Sequence, residues 1–125
     1  MRLPLERSAV APDGCEVRAL LGLRAGGMAH FSLPAGAVSR AIAHRTVEEI
    51  WYVVAGSGLM WRRQGEREEI TALEPGLCVT LPVGTHFQFR AAADEALAAV
   101  GVTMPPWPGD HEAYRVPGPW PASDP

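Results

Sequence analysis

The side chains best suited to chemistry in this sequence are a histidine and a glutamate five positions apart, His44 and Glu49. Glu49 begins an otherwise apolar segment, and a carboxylate in such surroundings needs a partner or takes a raised pKa. The nearest candidate partners in the sequence are His44, Arg40 and Arg45. An imidazole and a carboxyl group placed together could act as an acid/base pair or hold the polar part of a ligand, although His44 could equally be a hydrogen-bonded core histidine.

These two residues belong to a spaced block. Five residues separate Gly36 from Ile42, which is followed by His44 and Glu49, and six further residues lead to Gly56. The block resembles the first motif of the cupin superfamily, in which a histidine stands at the position of Ile42. His44, Glu49 and both glycines match the motif.

A second block begins at Gly76 and reaches Pro82-Val83-Gly84-Thr85-His86-Phe87 after five residues. It resembles the second cupin motif, which has a histidine at the position of Phe87 and an asparagine at that of Ala91. Together the two motifs predict an all-β cupin fold, the double-stranded β-helix or jelly roll. The resemblance covers roughly residues 26–103.

The resemblance implies a divalent metal, of the kind Fe, Mn, Ni or Zn, held inside the barrel by three histidines and a glutamate. Only His44 and Glu49 remain of that set, and His86 would be needed to reach the two-histidine, one-carboxylate stoichiometry of non-haem iron sites. The alternation of polar and apolar residues over 86–90 favours Phe87 and Phe89 pointing inward and His86 pointing outward. A position beside a loop leaves His86 a way to escape that alternation.

Turn residues divide the chain into segments of strand length. Gly (13) and Pro (12) are spread through all 125 residues, which is typical of an all-β sandwich or barrel with closely spaced turns. The segment 91–99 is rich in alanine, but its shortness and its strand-like flanks favour a turn followed by a strand. The predicted strands are Val17–Leu23, Met28–Leu33, Val38–Ala43, Glu49–Val54, Leu59–Arg63, Glu68–Leu73, Leu77–Leu81, His86–Arg90 and Leu97–Thr103.

Composition excludes several functions. All 11 basic residues are arginine, so the chain has no lysine for Schiff-base chemistry or for a P-loop. Its net charge of −3 and the lack of a basic patch argue against nucleic-acid binding. Cys15 and Cys78 form no disulfide framework and are interpreted as buried thiols of a reducing compartment. The sequence has no signal-like apolar region and no apolar run of about 18 residues, so we expect a cytoplasmic protein without membrane contact.

The chain is expected to divide into N-terminal strands (1–25), barrel motifs (26–103) that form one domain with them, and a Pro/Trp-rich C-terminal arm (104–125). The prolines of the arm argue against ladder hydrogen bonds, and Trp107 and Trp120 offer apolar area to bury against the barrel or a partner.

The segment Glu49–Val54 is apolar on both faces, so one face must be hidden by a second layer or a partner chain. Cupins commonly dimerise. We therefore expect a homodimer with Ile50, Tyr52 or Val54 near the partner and with the Trp-bearing arm adding buried area.

The sequence thus predicts a cupin that binds a small molecule in a barrel with a reduced metal site. The alternative is a metal-dependent enzyme of the dioxygenase, isomerase or lyase type that uses His44, Glu49 and His86. Catalytic residues and reaction are not defined by the sequence, and an interaction role is a third hypothesis. The predicted pocket comprises His44, Glu49, Ile42, Trp51, Phe87, Phe89 and Arg40.

Overall fold

A computed structural model describes all residues from Met1 to Pro125. The chain forms only β-strands, joined by turns and loops, and it has no helix that is long and apolar enough to span a membrane. The eleven strands are β1 (Ala9–Val10), β2 (Glu16–Leu23), β3 (Gly26–Leu33), β4 (Ile42–His44), β5 (Glu48–Ala55), β6 (Gly58–Gln64), β7 (Arg67–Leu73), β8 (Cys78–Leu81), β9 (His86–Ala91), β10 (Leu97–Met104) and β11 (Ala113–Arg115).

The strands form two antiparallel sheets that face each other. The six-stranded sheet has the order β1-β2-β3-β10-β5-β8, and the five-stranded sheet has the order β11-β4-β9-β6-β7. Consecutive strands therefore often lie in opposite sheets, as β4 and β5 do. This arrangement places His44, at the end of β4 in one sheet, close to Glu49, at the start of β5 in the other sheet.

Strand alternation builds the core. Along β5 the side chains of Glu49, Trp51 and Val53 are buried, whereas Ile50 and Tyr52 are exposed on the outer face. This is the partition that the sequence pattern predicts. The largest fully buried side chains are Trp51, Phe87, Phe89, Ile42, Met60, Leu73 and Leu81.

The predicted strands agree with the structure within two residues, with one exception. Val38–Ala43 was expected to be a strand, but β4 begins only at Ile42, and Val38 forms no more than an isolated bridge with Arg90. The backbone of Ser39 and Arg40 instead bonds to Phe89 and to the Asp13 carbonyl of the turn before β2. These bonds to separate segments keep 38–41 out of a continuous ladder.

The C-terminal arm also differs from expectation, because part of it is a strand. β11 pairs with β4, with Ala113 opposite His44 and Arg115 opposite Ile42. The proline-free stretch between the two proline clusters can donate ladder hydrogen bonds, which the prolines themselves cannot do. The arm is therefore an edge strand of the five-stranded sheet and not only an irregular cover.

The last residues of the arm pack on the outside of the same sheet. The Gln88 amide donates to the carbonyls of Ser39 and Trp120, both at 2.8 Å, and its oxygen accepts from the Trp120 N–H. The Arg90 guanidinium lies 5.5 Å from the Trp120 ring centroid. The outer face of β9 is thus covered by the chain's own terminus, which explains why Gln88 is buried although it points away from Phe87 and Phe89.

Candidate functional site

A cavity of about 430 Å³ lies inside the barrel, open at one end. Its lining comes from β2, β3, β4, β5, β9 and β10, from the N-terminal segment 8–13, and from Trp107, Gly109 and Asp110 of the arm. Most of its lining is apolar. The size and lining are those of pockets that bury small organic molecules, which usually span about 300 to 1,000 Å³.

His44 and Glu49 meet at the wall of this cavity. Their closest approach is 3.7 Å, between His44 Nδ1 and Glu49 Oε1, and both side chains are about 5% exposed. The other carboxyl oxygen, Oε2, accepts a short hydrogen bond from the Trp51 indole N–H. A separation of 3.7 Å is too long for a hydrogen bond, so Oε1 remains without a protein donor.

Burial governs the protonation of this pair. It raises the pKa of Glu49 to about 7, against the opposing effect of the Trp51 hydrogen bond and with a further increase from the charge of Asp13. Burial also lowers the pKa of His44, although the nearby Glu112 carboxylate opposes that shift. Near neutral pH the cavity therefore holds an uncharged imidazole beside a carboxyl group that readily gains or loses a proton.

The loop between His44 and Glu49 is held in place by the C-terminal arm. The Glu112 carboxylate accepts hydrogen bonds from the backbone N–H groups of Thr46 and Val47, both at 2.6 Å, and from the Thr46 hydroxyl at 2.8 Å. Burial alone would raise the pKa of Glu112, but these donors hold it below its usual value. Glu112 therefore fixes the geometry of the two site residues without lining the cavity itself.

Asp13 is a third acidic residue at the cavity, and the sequence did not single it out. It lies in the turn between β1 and β2, is 5% exposed, and accepts a hydrogen bond from the Cys15 N–H at 3.0 Å. Burial raises its pKa, against the effects of Cys15 and Arg40. A Pro-Asp-Gly sequence is the ordinary signature of a solvated turn, so only the folding of that turn over the barrel reveals the role of Asp13.

Four aromatic side chains line the cavity: Phe31, Trp51, Phe87 and Trp107. Phe31 and Trp51 stack with centroids 5.0 Å apart and an interplanar angle of 16°. His44 makes T-shaped contacts with two rings, with its centroid 5.3 Å from that of Phe87 and 5.1 Å from that of Trp107. Trp107 thus brings the first part of the arm to the cavity mouth.

The structure brings together five of the seven residues predicted for the pocket: His44, Glu49, Ile42, Trp51 and Phe87. Phe89 and Arg40 do not line the cavity. Phe89 packs behind Trp51, with centroids 5.0 Å apart, and Arg40 points to the outside, where it donates to Asp124 and to the Pro12 carbonyl. Arg40 precedes β4, so the inward alternation of that strand does not extend to it.

The predicted metal set of His44, Glu49 and His86 is not assembled. His86 starts β9 opposite Arg63 and on the face away from Phe87, and no three His, Cys, Asp or Glu side chains come close enough together to hold a metal ion. At the two positions where the cupin motifs have their other histidines, this chain has the apolar side chains of Ile42 and Phe87, which are 2% and 1% exposed. The residues present do not fit the divalent metal that the cupin motifs imply.

No protein-family model matches the sequence, and no curated protein aligns with it. Solved structures do resemble the fold. KdgF from Halomonas sp. superposes with a TM-score of 0.66 at 20% identity, covering 80% of this chain and 87% of that one. Oxalate decarboxylase from Bacillus subtilis gives 0.73 at 16% identity over 82% of this chain, which spans only 28% of the decarboxylase.

A third neighbour is Streptomyces PAC13, solved as a histidine-to-glutamine variant with uridine and described as a nucleoside dehydratase. It gives a TM-score of 0.70 at 13% identity and covers 93% of this chain and 90% of its own. The chain has the cupin fold, the double-stranded β-helix. At these identities the likeness defines the fold alone.

Proposed function

We propose that the protein binds a small, largely apolar organic molecule inside the barrel, with the polar group of that molecule against His44 and Glu49. The observation that carries this proposal is the apolar cavity of about 430 Å³, in which one carboxyl oxygen, Glu49 Oε1, has no protein donor. A few convergent polar groups in an otherwise apolar pocket are typical of small-molecule sites.

The neighbours support a small-molecule role without naming the molecule. Streptomyces PAC13 was solved with uridine, and CapF, a capsular polysaccharide assembling protein of Staphylococcus aureus, was solved with a tropolone inhibitor. Both share the fold at a TM-score of 0.70. PAC13, which is matched over 90% of its length, has therefore been solved with an organic molecule, whereas this chain spans only 34% of CapF.

A cavity-filling variant tests the proposal. Ala29 lines the cavity from β3, and Ala29→Leu adds three carbons there without changing any polar group. In a fragment screen by ligand-observed NMR, we expect apolar fragments to bind the wild type and to lose binding in Ala29→Leu. Ala72→Leu, on the exposed side of β7, is the matched control and should bind as the wild type does. Equal binding by all three proteins would place the fragments elsewhere and contradict the proposal.

The second candidate function is acid/base catalysis on the bound molecule without a metal. It is favoured by Glu49, whose pKa of about 7 suits proton transfer near neutrality, and by the neutral His44 imidazole 3.7 Å away. In this scheme Glu49 donates a proton and His44 accepts one. A bound ligand incubated with wild type and with Glu49→Gln would distinguish catalysis from binding, because conversion seen by NMR in the wild type alone requires the acid. Recovery of unchanged ligand from both proteins would leave the binding function only.

The metal-dependent alternative lacks support from the side chains present, since His86 does not join His44 and Glu49. No step of the proposed function passes through a metal ion.

A further inference from the structure

The charges around the cavity are of one sign. Asp13 and Glu49 line it and are buried, and Asp110 lies at its rim. None of the 11 arginines that make up the basic residues of the chain contributes to its lining. His44 is the only basic group there, and burial favours its neutral form. A carboxylate or phosphate ligand would find no cationic partner in this cavity and would be placed beside acidic groups.

Glu49 has an oxygen free for such a ligand. Oε2 is taken by the Trp51 indole, whereas Oε1 accepts no hydrogen bond from the protein. The side chain is 5% exposed and lines the cavity, so a molecule bound in the cavity can donate to this acceptor. Hydrogen bonds from a cationic donor to a carboxylate are about twice as strong as those between neutral groups, so an ammonium group is a favourable partner for this oxygen.

The aromatic lining adds a second, independent preference. Phe31, Trp51, Phe87 and Trp107 line the same cavity as Glu49. Aromatic rings attract cations through the negative potential of their faces, and their hydrocarbon accommodates the apolar part of a ligand. The combination of an aromatic lining with two buried carboxylates, of which only Asp13 lies near an arginine, Arg40, is suited to an ammonium group attached to an apolar body.

We propose that the ligand of the barrel cavity is an apolar organic amine, bound as its ammonium ion with the cation against Glu49 Oε1 and on the side of Asp13. This proposal rests on the proposed function, since it names the chemical class of the molecule bound at the same site. It excludes carboxylates and phosphates as ligands. The neutral His44 imidazole is a further acceptor for an ammonium proton.

Three probes of nearly one shape test the charge preference: phenethylamine, phenethyl alcohol and phenylacetate. Binding to the full chain is measured by ligand-observed NMR titration at about pH 8, where Glu49 with a pKa of about 7 is mostly ionised. We expect the amine to bind at least about tenfold more tightly than the alcohol, a difference of about 1.4 kcal/mol. Phenylacetate should bind more weakly than either.

Glu49→Gln should raise the Kd of the amine toward that of the alcohol and leave the alcohol nearly unchanged. Glu48→Gln, at the neighbouring exposed position, is the matched control and should retain the preference. Asp13→Asn, which keeps an oxygen to accept the Cys15 N–H, is a second variant if Glu49→Gln does not fold, and it should weaken the amine selectively.

The outcomes distinguish the amine proposal from the more general proposal of small-molecule binding. An alcohol that binds as tightly as the amine, or a carboxylate that binds best, would overturn the amine proposal and leave small-molecule binding intact. Amine binding that survives both Glu49→Gln and Asp13→Asn would also overturn it. If none of the three probes binds at millimolar concentration, the amine proposal fails, and small-molecule binding fails with it only if the fragment screen also finds no ligand that Ala29→Leu excludes.

Discussion

Ile42 and Phe87 lie side by side on the paired strands β4 and β9, and their apolar side chains leave His44 and Glu49 without further metal ligands. Both are buried at positions where the cupin motifs have histidines. We predict that Ile42→His combined with Phe87→His creates a metal site of three histidines and Glu49, because four nitrogen and oxygen ligands then converge. Elemental analysis after growth with Fe, Mn, Ni and Zn should show about one equivalent of metal in the double variant and far less in the wild type.

His86 provides the control for that experiment. Since it lies on the opposite face of β9, adding His86→Ala to the double variant should leave its metal content unchanged. A wild-type protein carrying one equivalent of metal that is lost in His44→Ala would contradict the structural argument. That result would instead support the metal-dependent enzyme.

Glu49 should also mark the pH dependence of stability. Its pKa is about 7 in the folded protein against 4.5 in the unfolded chain, so the folded state binds more protons between these values. The contribution of Glu49 to stability is therefore full below about pH 4.5, falls as the pH rises to about 7, and is constant above. Relative to Glu49→Gln, the free energy of unfolding of the wild type should fall by at most about 3 kcal/mol as the pH rises through this window.

Denaturant unfolding of both proteins between about pH 5 and 8 measures this difference. The lowered pKa of His44 has the opposite effect, because its contribution to stability rises with pH up to the unfolded-state pKa of 6.5. Both proteins contain His44, so this contribution does not distinguish them. Glu48→Gln should track the wild type throughout, because Glu48 is exposed. A wild type and Glu49→Gln that stay parallel with pH would show that Glu49 titrates normally.

The resemblance of the two spaced blocks to the cupin motifs was sufficient to predict that Ile42, His44, Glu49 and Phe87 lie around one point, and strand alternation agreed with the inward orientation of Phe87. It was insufficient for Asp13, which reaches the cavity only because the β1–β2 turn bonds to the backbone of Arg40. Contacts between segments so far apart in the chain leave no local signal in the sequence.

At the level of strands, Gly101 on β10 allows the aromatic wall to form. It lies between Ala29 on β3 and Trp51 on β5, and a Cβ there would stand 2.7 Å from Phe31 Cε2 and 3.0 Å from Trp51 Cδ1. We predict that Gly101→Ala destabilises the protein by about 1 to 3 kcal/mol, since overpacking forces the rings from their positions. Unfolding followed by tryptophan fluorescence should show both the lower midpoint and an altered Trp51 environment.

Gly27→Ala on β3 is the matched control for this substitution. Its Cβ would meet only Thr103 Oγ1, at 3.8 Å, which is an ordinary contact. It should unfold close to the wild type. Equal destabilisation by both substitutions would attribute the effect to the loss of glycine from a strand and not to the crowding of Phe31 and Trp51.

The strands of the barrel were predictable, whereas the role of the C-terminal arm was not. Alternation and turn residues marked nine strands, but β11 is only three residues long and lies between proline clusters. The arm is held by contacts such as Glu112 to Thr46 and Gln88 to Trp120, which join residues distant in the sequence. Composition alone predicts that such a segment has apolar area to bury and does not indicate where.

The outer face of the six-stranded sheet remains uncovered by the chain. Ile50, Tyr52 and Val54 are 44%, 49% and 42% exposed there, and Met28 on β3 is 43% exposed. The arm, which was expected to bury its tryptophans against the barrel or a partner, packs on its own barrel, with Trp107 beside His44 and Trp120 beside Arg90. An adjoining row of large apolar side chains on one sheet face is typical of an interaction surface.

We propose that a second copy of this chain covers that face, since two such faces related by a twofold axis complement each other. Light scattering at micromolar concentration should then give a dimer for the wild type and a monomer for Ile50→Glu or Tyr52→Glu, because a carboxylate buried without a partner costs several kcal/mol. Ile70→Glu is the matched control: Ile70 is 56% exposed on β7 of the other sheet, and its substitution should leave the dimer intact. A monomeric wild type would contradict the proposal, and dissociation by Ile70→Glu alone would move the interface to the five-stranded sheet.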